Sequence, residues 1–356
     1  MKTLHLIVDI EDLAGAKSEE AIQRAAEILK SGGTVAFPTE TVYGLGANAL
    51  DETAVARIFE AKQRPRWDPL IVHIAEPRML AQIASGIPEC ATKLMRAFWP
   101  GPLTLLLPKA PRVPAIVTAG RPRIGVRMPA HPVAVELIRR AGVPIAAPSA
   151  NTFGRISPTS AAHVLQDLDG RIDAVLDAGE TQHGLESTVV DACESPATIY
   201  RPGVVTLAQI AAVCGEALNF VAPDATHQGK EQQTLPSPGM GIRHYAPRAR
   251  LVLIEGDGEA QRAAFAQAAD DARKGGERVG LMLPKEFEPH LAVRAEKVPA
   301  FRWGRWGNQE ELAQRLFAGL RQLDAAGATV ILCPMPSATG IGIAMRDRLQ
   351  KAAMKA

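Results

Sequence analysis

Hydrophobic and polar positions along the first 218 residues follow two alternating periods. In "SEEAIQRAAEILKSGG" the apolar residues Ile22, Ala25 and Leu29 recur every three or four positions, which predicts an amphipathic helix. We expect Ser18 to cap its start and Gly32 to end it. The segments "ETAVARIFEAKQ" and "PVAVELIRRAG" predict two further helices.

Short apolar, β-rich runs lie between and after these helices. Each is four to six residues long, the usual length of a buried strand: "TVAF", "PLIVHI", "LTLLLP", "IGVRMP", "VPIAAP", "AVLDAG", "STVVDA" and "ATIYRP". Helices and strands alternate at first, and strands later follow strands. The pattern therefore predicts an α/β domain with a mixed sheet over residues 1–218.

The periodicity disappears over residues 219–249, which are rich in Pro, Gln and Gly and are predicted to form a linker. Beyond it, residues 250–356 return to strand–helix order with "RLVLIEGD", "VGLML" and "TVILCPMP" as strands between helical segments. We expect a smaller C-terminal domain with a Rossmann-like parallel sheet.

Composition agrees with a globular protein of two domains: 356 residues, 47% hydrophobic and 22% charged. No apolar run reaches the roughly 18 residues of a membrane span. The start "MKTLHLIVDIEDL" places carboxylates where a signal peptide stays apolar. These features predict a cytoplasmic protein without membrane association.

Four cysteines occur without any CxxC spacing: Cys90, Cys193, Cys214 and Cys333. This spacing disfavours a zinc site and a disulfide framework, and we expect reduced core thiols. The net charge of +2 excludes a polycation, although arginines crowd residues 112–127.

Standard catalytic motifs are missing from the chain. It contains no GxxxxGK(S/T) phosphate loop, no GxSxG elbow and no HExxH zinc motif. What remains are polar and basic groups at chain turns, the first of which is the polar stretch "FPTETVYGLG".

A basic turn follows the second helix in "AKQRPRWDP". Lys62, Arg64 and Arg66 there could simply complement the helix dipole as exposed side chains. Alternatively, Pro65 stiffens the loop and holds the basic groups for phosphate.

Two hydroxyl-rich stretches have a similar ambiguity. "APSANTFGRISPTS" could supply helix caps or ligand donors, and in "GLESTVVDA" Ser187 and Thr188 could begin a strand or line the same cleft. Many donors and no evident nucleophile indicate a site that positions and stabilises anionic groups, as nucleotidyl transfer requires.

The ordered motifs resemble those of threonylcarbamoyl-AMP synthases of the YrdC type, in the longer two-domain branch. They are "FPTETVYGLG", "KQR", "PLIVHI", "RMP", "PSAN", "ESTVV", "RPG" and "SPGMGIRHYAP". The resemblance implies a YrdC-like twisted mixed sheet, with the smaller Rossmann-like domain after the linker.

It also implies a reaction. L-threonine, bicarbonate and the substrate ATP, with Mg²⁺ on its phosphates, would give L-threonylcarbamoyl-AMP and pyrophosphate. The product would pass to the tRNA threonylcarbamoyl transferase machinery, which modifies tRNA beside the anticodon. No metal ligand is assigned.

The resemblance further implies residue roles. Glu40 and Tyr43 would shape the polar turn. The threonine pocket would be formed by Thr41, His73, Arg127, the backbone at Ala147, and Ser187. Lys62 and Arg64 would be catalytic, and the ATP-binding residues would be Lys62, Arg64, Asp68, Arg123, Ser149, Asn151, Ser157, Arg201 and Tyr245. The linker, as a lid, would bring Tyr245 to the nucleotide.

Alternatives remain for single residues and for the whole chain. His73 could be a satisfied core histidine, and Tyr245 an aromatic that only packs. The protein could be an RNA-binding module, although few aromatics are available for stacking. It could also be another carbamoyl-transferring enzyme, and weak RNA binding could accompany the synthase activity.

Overall fold

The computed structural model describes residues 2–215, 217–221, 244–291 and 298–354. The chain divides into two compact units. The first contains Met1–Phe153, Ser157–Gln182 and Glu186–Gly241, and the second contains Gly154–Ile156, His183–Leu185 and Ile242–Ala356. Most of the predicted linker, including Pro236, Gly239 and Arg243, lies outside the described residues.

The first unit is built on one eleven-stranded sheet. Its strands are β1 (Leu4–Ile7), β2 (Val35–Phe37), β3 (Gly44–Asn48), β4 (Ile71–His73), β5 (Leu103–Pro108), β6 (Arg123–Arg127), β7 (Ile145–Ala146), β8 (Ala174–Asp177), β9 (Thr188–Asp191), β10 (Thr198–Arg201) and β11 (Asn219–Phe220). The spatial order is β1-β8-β2-β3-β7-β4-β6-β5-β9-β10-β11, with parallel and antiparallel pairs. The predicted mixed sheet is confirmed.

Seven helices accompany this sheet in the described part of the first unit: α1 (Ala16–Lys30), α2 (Glu52–Lys62), α3 (Glu89–Phe98), α4 (Ala115–Thr118), α5 (Pro132–Ala141), α6 (Ala161–Leu168) and α7 (Leu207–Cys214). Their apolar faces and the sheet enclose the main core, in which Ile22, Phe37 and Leu105 are fully buried. The helices thereby keep the apolar side chains of the sheet out of water. Burial of this apolar surface is the main source of fold stability.

The predicted cap of α1 is wrong. Gly15 precedes the helix, and Ser18 is buried within its first turn. The Ser18 hydroxyl instead accepts a hydrogen bond from the Asp9 backbone N–H at 3.1 Å, which ties the preceding loop to the helix.

The polar stretch at residues 38–43 connects two antiparallel strands. Phe37 at the end of β2 pairs with Gly44 at the start of β3, so these residues form a hairpin loop. On the same sheet, β4 and β6 run parallel with His73 beside Arg127. The backbone register thus brings His73 and Arg127, both predicted site residues, side by side.

The second unit has a four-stranded sheet in which every strand pair is parallel, as predicted. Its elements are β12 (Arg250–Ile254), α8 (Gly258–Lys274), β13 (Val279–Pro284), β14 (Ala300–Gly304), α9 (Gln309–Ala325), β15 (Val330–Pro334) and α10 (Gly342–Ala353). The strand order is β12-β15-β13-β14. Among the helices that the structure describes, none is long and apolar enough to cross a bilayer.

Candidate functional site

The hairpin loop is ordered by its own hydroxyl groups. The Thr39 hydroxyl donates to the Val42 carbonyl at 2.7 Å and lies 2.8 Å from the Thr41 hydroxyl. Tyr43 donates through its hydroxyl to the Gly179 carbonyl at 2.7 Å. Burial, together with the charge of Asp177, raises the pKa of Tyr43, so the phenol stays protonated. These hydrogen bonds hold the hydroxyl groups of the loop in defined positions.

Arg127 joins this loop to the end of β6. Its Nη1 donates to the Thr41 hydroxyl at 2.8 Å, its Nη2 lies 2.6 Å from Glu40 Oε1, and its Nε donates to the Gly101 carbonyl at 3.2 Å. Burial raises the pKa of Glu40, but the Arg127 guanidinium outweighs this effect and holds it below its usual value. A buried, compensated guanidinium can orient a carboxylate without reorganising.

His73 is buried beside this ion pair and packs edge-on against Phe37, with ring centroids 6.2 Å apart. Burial, reinforced by the charge of Arg127, lowers the pKa of His73 to about 3, so the ring is neutral. Its Nδ1 has no hydrogen-bond partner among the residues described. Both interpretations of His73, a residue of the threonine pocket and a buried core histidine, therefore stay predictions.

The "PSAN" segment runs along the hairpin. The Leu45 N–H donates to the Pro148 carbonyl and the Ala150 N–H to the Tyr43 carbonyl, both at 2.8 Å. The Ala147 N–H donates to the Ile71 carbonyl at 2.8 Å, next to β4. Backbone pairing therefore holds Ala147 and the hairpin at one part of the sheet.

Lys62 points into the protein, which contradicts its predicted exposure. Its side chain is buried, and its Nζ donates to the Ser149 carbonyl at 2.6 Å and to the Asn151 carbonyl. Burial, with a smaller contribution from the charge of Arg64, lowers the pKa of Lys62 well below its ordinary value. The "KQR" and "PSAN" segments are thus in direct contact.

Arg64 is buried as well, so its predicted exposure is also wrong. Its Nη2 lies 2.9 Å from Asp68 Oδ1 and donates to the Pro69 carbonyl at 2.8 Å. The guanidinium carbon lies 5.8 Å from the centre of the Phe153 ring. The basic turn is therefore rigid and packed, unlike a solvated helix end.

Ser187 and Arg201 form a third group. The Ser187 hydroxyl lies 2.8 Å from that of Thr104, and Arg201 Nη2 donates to the Ser187 carbonyl at 3.0 Å. At Gly203, a Cβ atom would lie 2.5 Å from the backbone at Glu186 and Ser187. Only glycine permits this approach, which explains the "RPG" sequence after β10.

Two buried polar residues near the predicted ones, Glu186 and His131, were not predicted for the site. The Ser157 hydroxyl donates to Glu186 at 2.6 Å, and Glu186 directly precedes Ser187, so the "ESTVV" motif contained the signal. Burial lowers the pKa of His131, opposed by the nearby charge of Glu40. No sequence pattern linked His131 to this group.

Arg123 and Tyr245 are not among the clustered residues. Arg123 begins β6, four positions or roughly 13 Å before Arg127, and its Nε lies 3.6 Å from Asp191. Tyr245 belongs to the second unit, where it is buried and stacks on Phe317 at 5.6 Å. Their contacts with ATP stay predictions.

The described residues contain no cluster of side chains suited to bind a metal ion. Within the described ranges, no group of three or more His, Cys, Asp or Glu side chains could hold a metal ion. A role for Mg²⁺ therefore stays an expectation tied to the phosphates of ATP.

Comparisons with known proteins agree with this architecture. Residues 27–203 match the Sua5–YciO–YrdC family model, described as "Telomere recombination". Residues 205–354 match the model of the threonylcarbamoyl-AMP synthase C-terminal domain.

Full-length relatives extend the match. The threonylcarbamoyl-AMP synthase of Pyrococcus abyssi is 45% identical over 94% of each chain. That of Bacillus subtilis is 42% identical over 99% of this chain and 98% of its own. The crystal structure of P. abyssi Sua5 complexed with L-threonine superimposes with a TM-score of 0.89 at 43% identity, covering 99% of this chain and 98% of the other. The chain therefore belongs to the threonylcarbamoyl-AMP synthase family, whose members are nucleotidyltransferase-type enzymes.

Proposed function

We propose that the protein joins L-threonine, bicarbonate and ATP to give L-threonylcarbamoyl-AMP and pyrophosphate, for threonylcarbamoyladenosine modification of tRNA. The observation that carries the proposal is the buried Arg127, held between Thr41 and Glu40 beside the neutral ring of His73. A guanidinium in a dry site suits a small amino-acid carboxylate. That P. abyssi Sua5 was crystallised with L-threonine supports the same substrate here.

On the threonine side, Arg127 would bind the carboxylate, with Thr41, His73, Ser187 and the backbone at Ala147 completing the pocket. The threonine amine would combine with bicarbonate to form a carbamate and release water. One oxygen of that carbamate would attack the α-phosphorus of ATP, and pyrophosphate would leave. The protein contributes position and charge, and no residue needs to act as a nucleophile.

On the nucleotide side, Lys62 and Arg64 would stabilise the negative charge of the phosphates. Asp68 supports this role because it holds Arg64 in place at 2.9 Å. We assign ATP contacts to Ser149, Asn151, Ser157, Arg201, Arg123 and Tyr245 as proposals. A lid role for residues 219–249 is likewise proposed from the sequence alone.

The alternative of an RNA-binding module is less well supported. Lys62, Arg64 and Arg127 are at most 7% exposed, whereas a surface that binds nucleic acid needs accessible basic side chains. Delivery of the product to the tRNA threonylcarbamoyl transferase machinery is part of the proposal and does not require RNA binding by this chain.

Pyrophosphate release tests the proposal directly. The assay is run with all three substrates and then with ATP, threonine or bicarbonate left out in turn. We expect release only from the complete mixture, because the attacking carbamate oxygen forms from threonine and bicarbonate. Release that is indifferent to threonine would contradict the proposal.

A further inference from the structure

Two cysteines of the first unit bring their sulfur atoms together although they are far apart in sequence. Cys90 is the second residue of α3, and Cys214 is the last residue of α7. Their Sγ atoms lie 3.1 Å apart across a sequence separation of 124 residues. Both side chains are thiols and both are half-buried, so a small oxidant has access to the pair.

The other two cysteines have different surroundings. Cys193 donates its thiol to the Leu106 carbonyl at 3.4 Å, and burial, reinforced by the charge of Asp191, raises its pKa to about 11. Cys333 is fully buried in the second unit, and burial raises its pKa well above the ordinary value. Because the thiolate is the reactive species, both side chains should resist oxidation.

The positions of Cys90 and Cys214 also permit the small movement that a covalent bond needs. A disulfide has an S–S distance of about 2.05 Å, so the sulfurs must approach by roughly 1 Å. Each residue lies at a helix terminus, where the backbone is less constrained than in a helix interior. Gly215, which follows Cys214, has a φ of 71° and ends α7 there.

We propose that Cys90 and Cys214 form a modification site, at which a hydroperoxide produces an intramolecular disulfide and a dithiol reductant restores the thiols. One thiolate attacks the peroxide oxygen, which yields a sulfenic acid and the first water. The second thiol attacks that sulfur, and the hydroxyl leaves as the second water. Two thiols are thus oxidised by two electrons while one hydrogen peroxide is reduced. This inference does not depend on the synthase reaction.

The bond would close a loop that contains strands β5 to β10. Cross-linking so long a loop removes conformational freedom from the unfolded chain more than from the folded one. We expect the thermal midpoint of the oxidised protein to rise by roughly 5–15 °C over that of the reduced protein.

The full-length protein is treated with a few equivalents of hydrogen peroxide, denatured and alkylated with N-ethylmaleimide. Intact mass should then show that two of the four cysteines resist alkylation, and a non-reducing peptide map should contain the Cys90–Cys214 linkage. Dithiothreitol should restore all four alkylation sites.

Three variants make the test specific. Cys193→Ser is the matched control and should keep both the linkage and the rise in thermal midpoint. Cys90→Ser and Cys214→Ser should each lose both. A linkage between two chains, further oxidation of Cys90 without linkage, or a rise that persists in Cys90→Ser would overturn the proposal.

Discussion

Two buried cations of the first unit, Arg127 and Lys62, have opposite electrostatic surroundings. Arg127 faces the carboxylate of Glu40 at 2.6 Å. Lys62 instead donates to the neutral carbonyls of Ser149 and Asn151, while the nearby carboxylate of Asp68 is paired with Arg64.

The difference separates two functions. Arg127 is held in a fixed position by Glu40, Thr41 and Gly101, so the proposed contact with a ligand carboxylate depends on the geometry of its guanidinium. Lys62 donates directly only to carbonyl groups, and although the charges of Asp68 and Asp167 favour its cation, burial outweighs them and lowers its pKa. A bound phosphate would supply the missing negative charge. The comparison therefore favours threonine at Arg127 and ATP at Lys62.

Replacing Arg127 should have the largest effect. Arg127→Met leaves Glu40 buried without its cation, and we expect the free energy of unfolding to fall by about 3–5 kcal/mol. Turnover should fall by about 100- to 1000-fold or more, since the proposed donor to the threonine carboxylate is lost. Denaturant unfolding and pyrophosphate release measure the two effects.

Two further variants serve as controls for this prediction. Adding Glu40→Gln to Arg127→Met should restore much of the stability but none of the turnover, because only the unpaired charge is removed. Arg112→Met, at an exposed position of the same unit, should change stability little. If the double variant were no more stable than Arg127→Met, the ion pair would not be the cause.

Lys62→Met should have a smaller effect on stability and a selective effect on ATP. It removes a buried side chain whose cation is disfavoured by burial, and two carbonyls lose a donor, at a cost of about 1–3 kcal/mol. We expect turnover to fall by about 10- to 100-fold and KM to rise for ATP but not for threonine. The exposed Lys93, replaced in the same way, is the matched control. Equal changes in both KM values would argue against separate roles for the two cations.

The sequence predicts local features of the fold and site better than contacts between residues that are far apart along the chain. Apolar runs such as "LTLLLP" predicted β5 at Leu103–Pro108, because burial on both faces leaves a continuous signal. The glycine-rich β3 has no such signal, and the sequence predicts a turn there.

The site motifs were visible, but the partners of their side chains were not. The basic turn at Lys62 looks like a solvated helix end, because nothing local shows that Ser149 and Asn151 cover it. Pairing of Arg127 with Glu40, and of Cys90 with Cys214, likewise depends on tertiary folding. Single-sequence patterns report local periodicity and give no register between distant segments.

Acid should destabilise the protein through His73. The pKa of His73 is about 3 in the folded protein against about 6.5 for an unperturbed histidine, so the unfolded state binds a proton first as the pH falls. Stability is therefore complete above 6.5 and is lost progressively toward 3, with a loss of about 2 kcal/mol between pH 7 and pH 5. His131 acts in the same direction, and Glu40 contributes mainly below 4.5.

Denaturant unfolding across this pH range measures the effect. His73→Gln should flatten the pH dependence. An unchanged slope in His73→Gln would show that His73 is not the group that titrates.

The smallest expected effect, and the most specific for Lys62, is proton uptake on ATP binding. A phosphate placed beside Lys62 favours its charged form and raises its low pKa, so binding should draw up to one proton from the buffer. Uptake means that ATP affinity falls as the pH rises between the pKa values of Lys62 in the free and the bound protein.

Calorimetry in buffers with different ionisation enthalpies measures the number of protons taken up. The experiment is run at a pH above the titration of the γ-phosphate itself. Threonine binding should show no such uptake, because it places no phosphate beside Lys62. Lys62→Met should abolish the ATP-linked uptake, and if that variant took up as many protons as the unmodified protein, the difference between the two cations would not govern nucleotide binding.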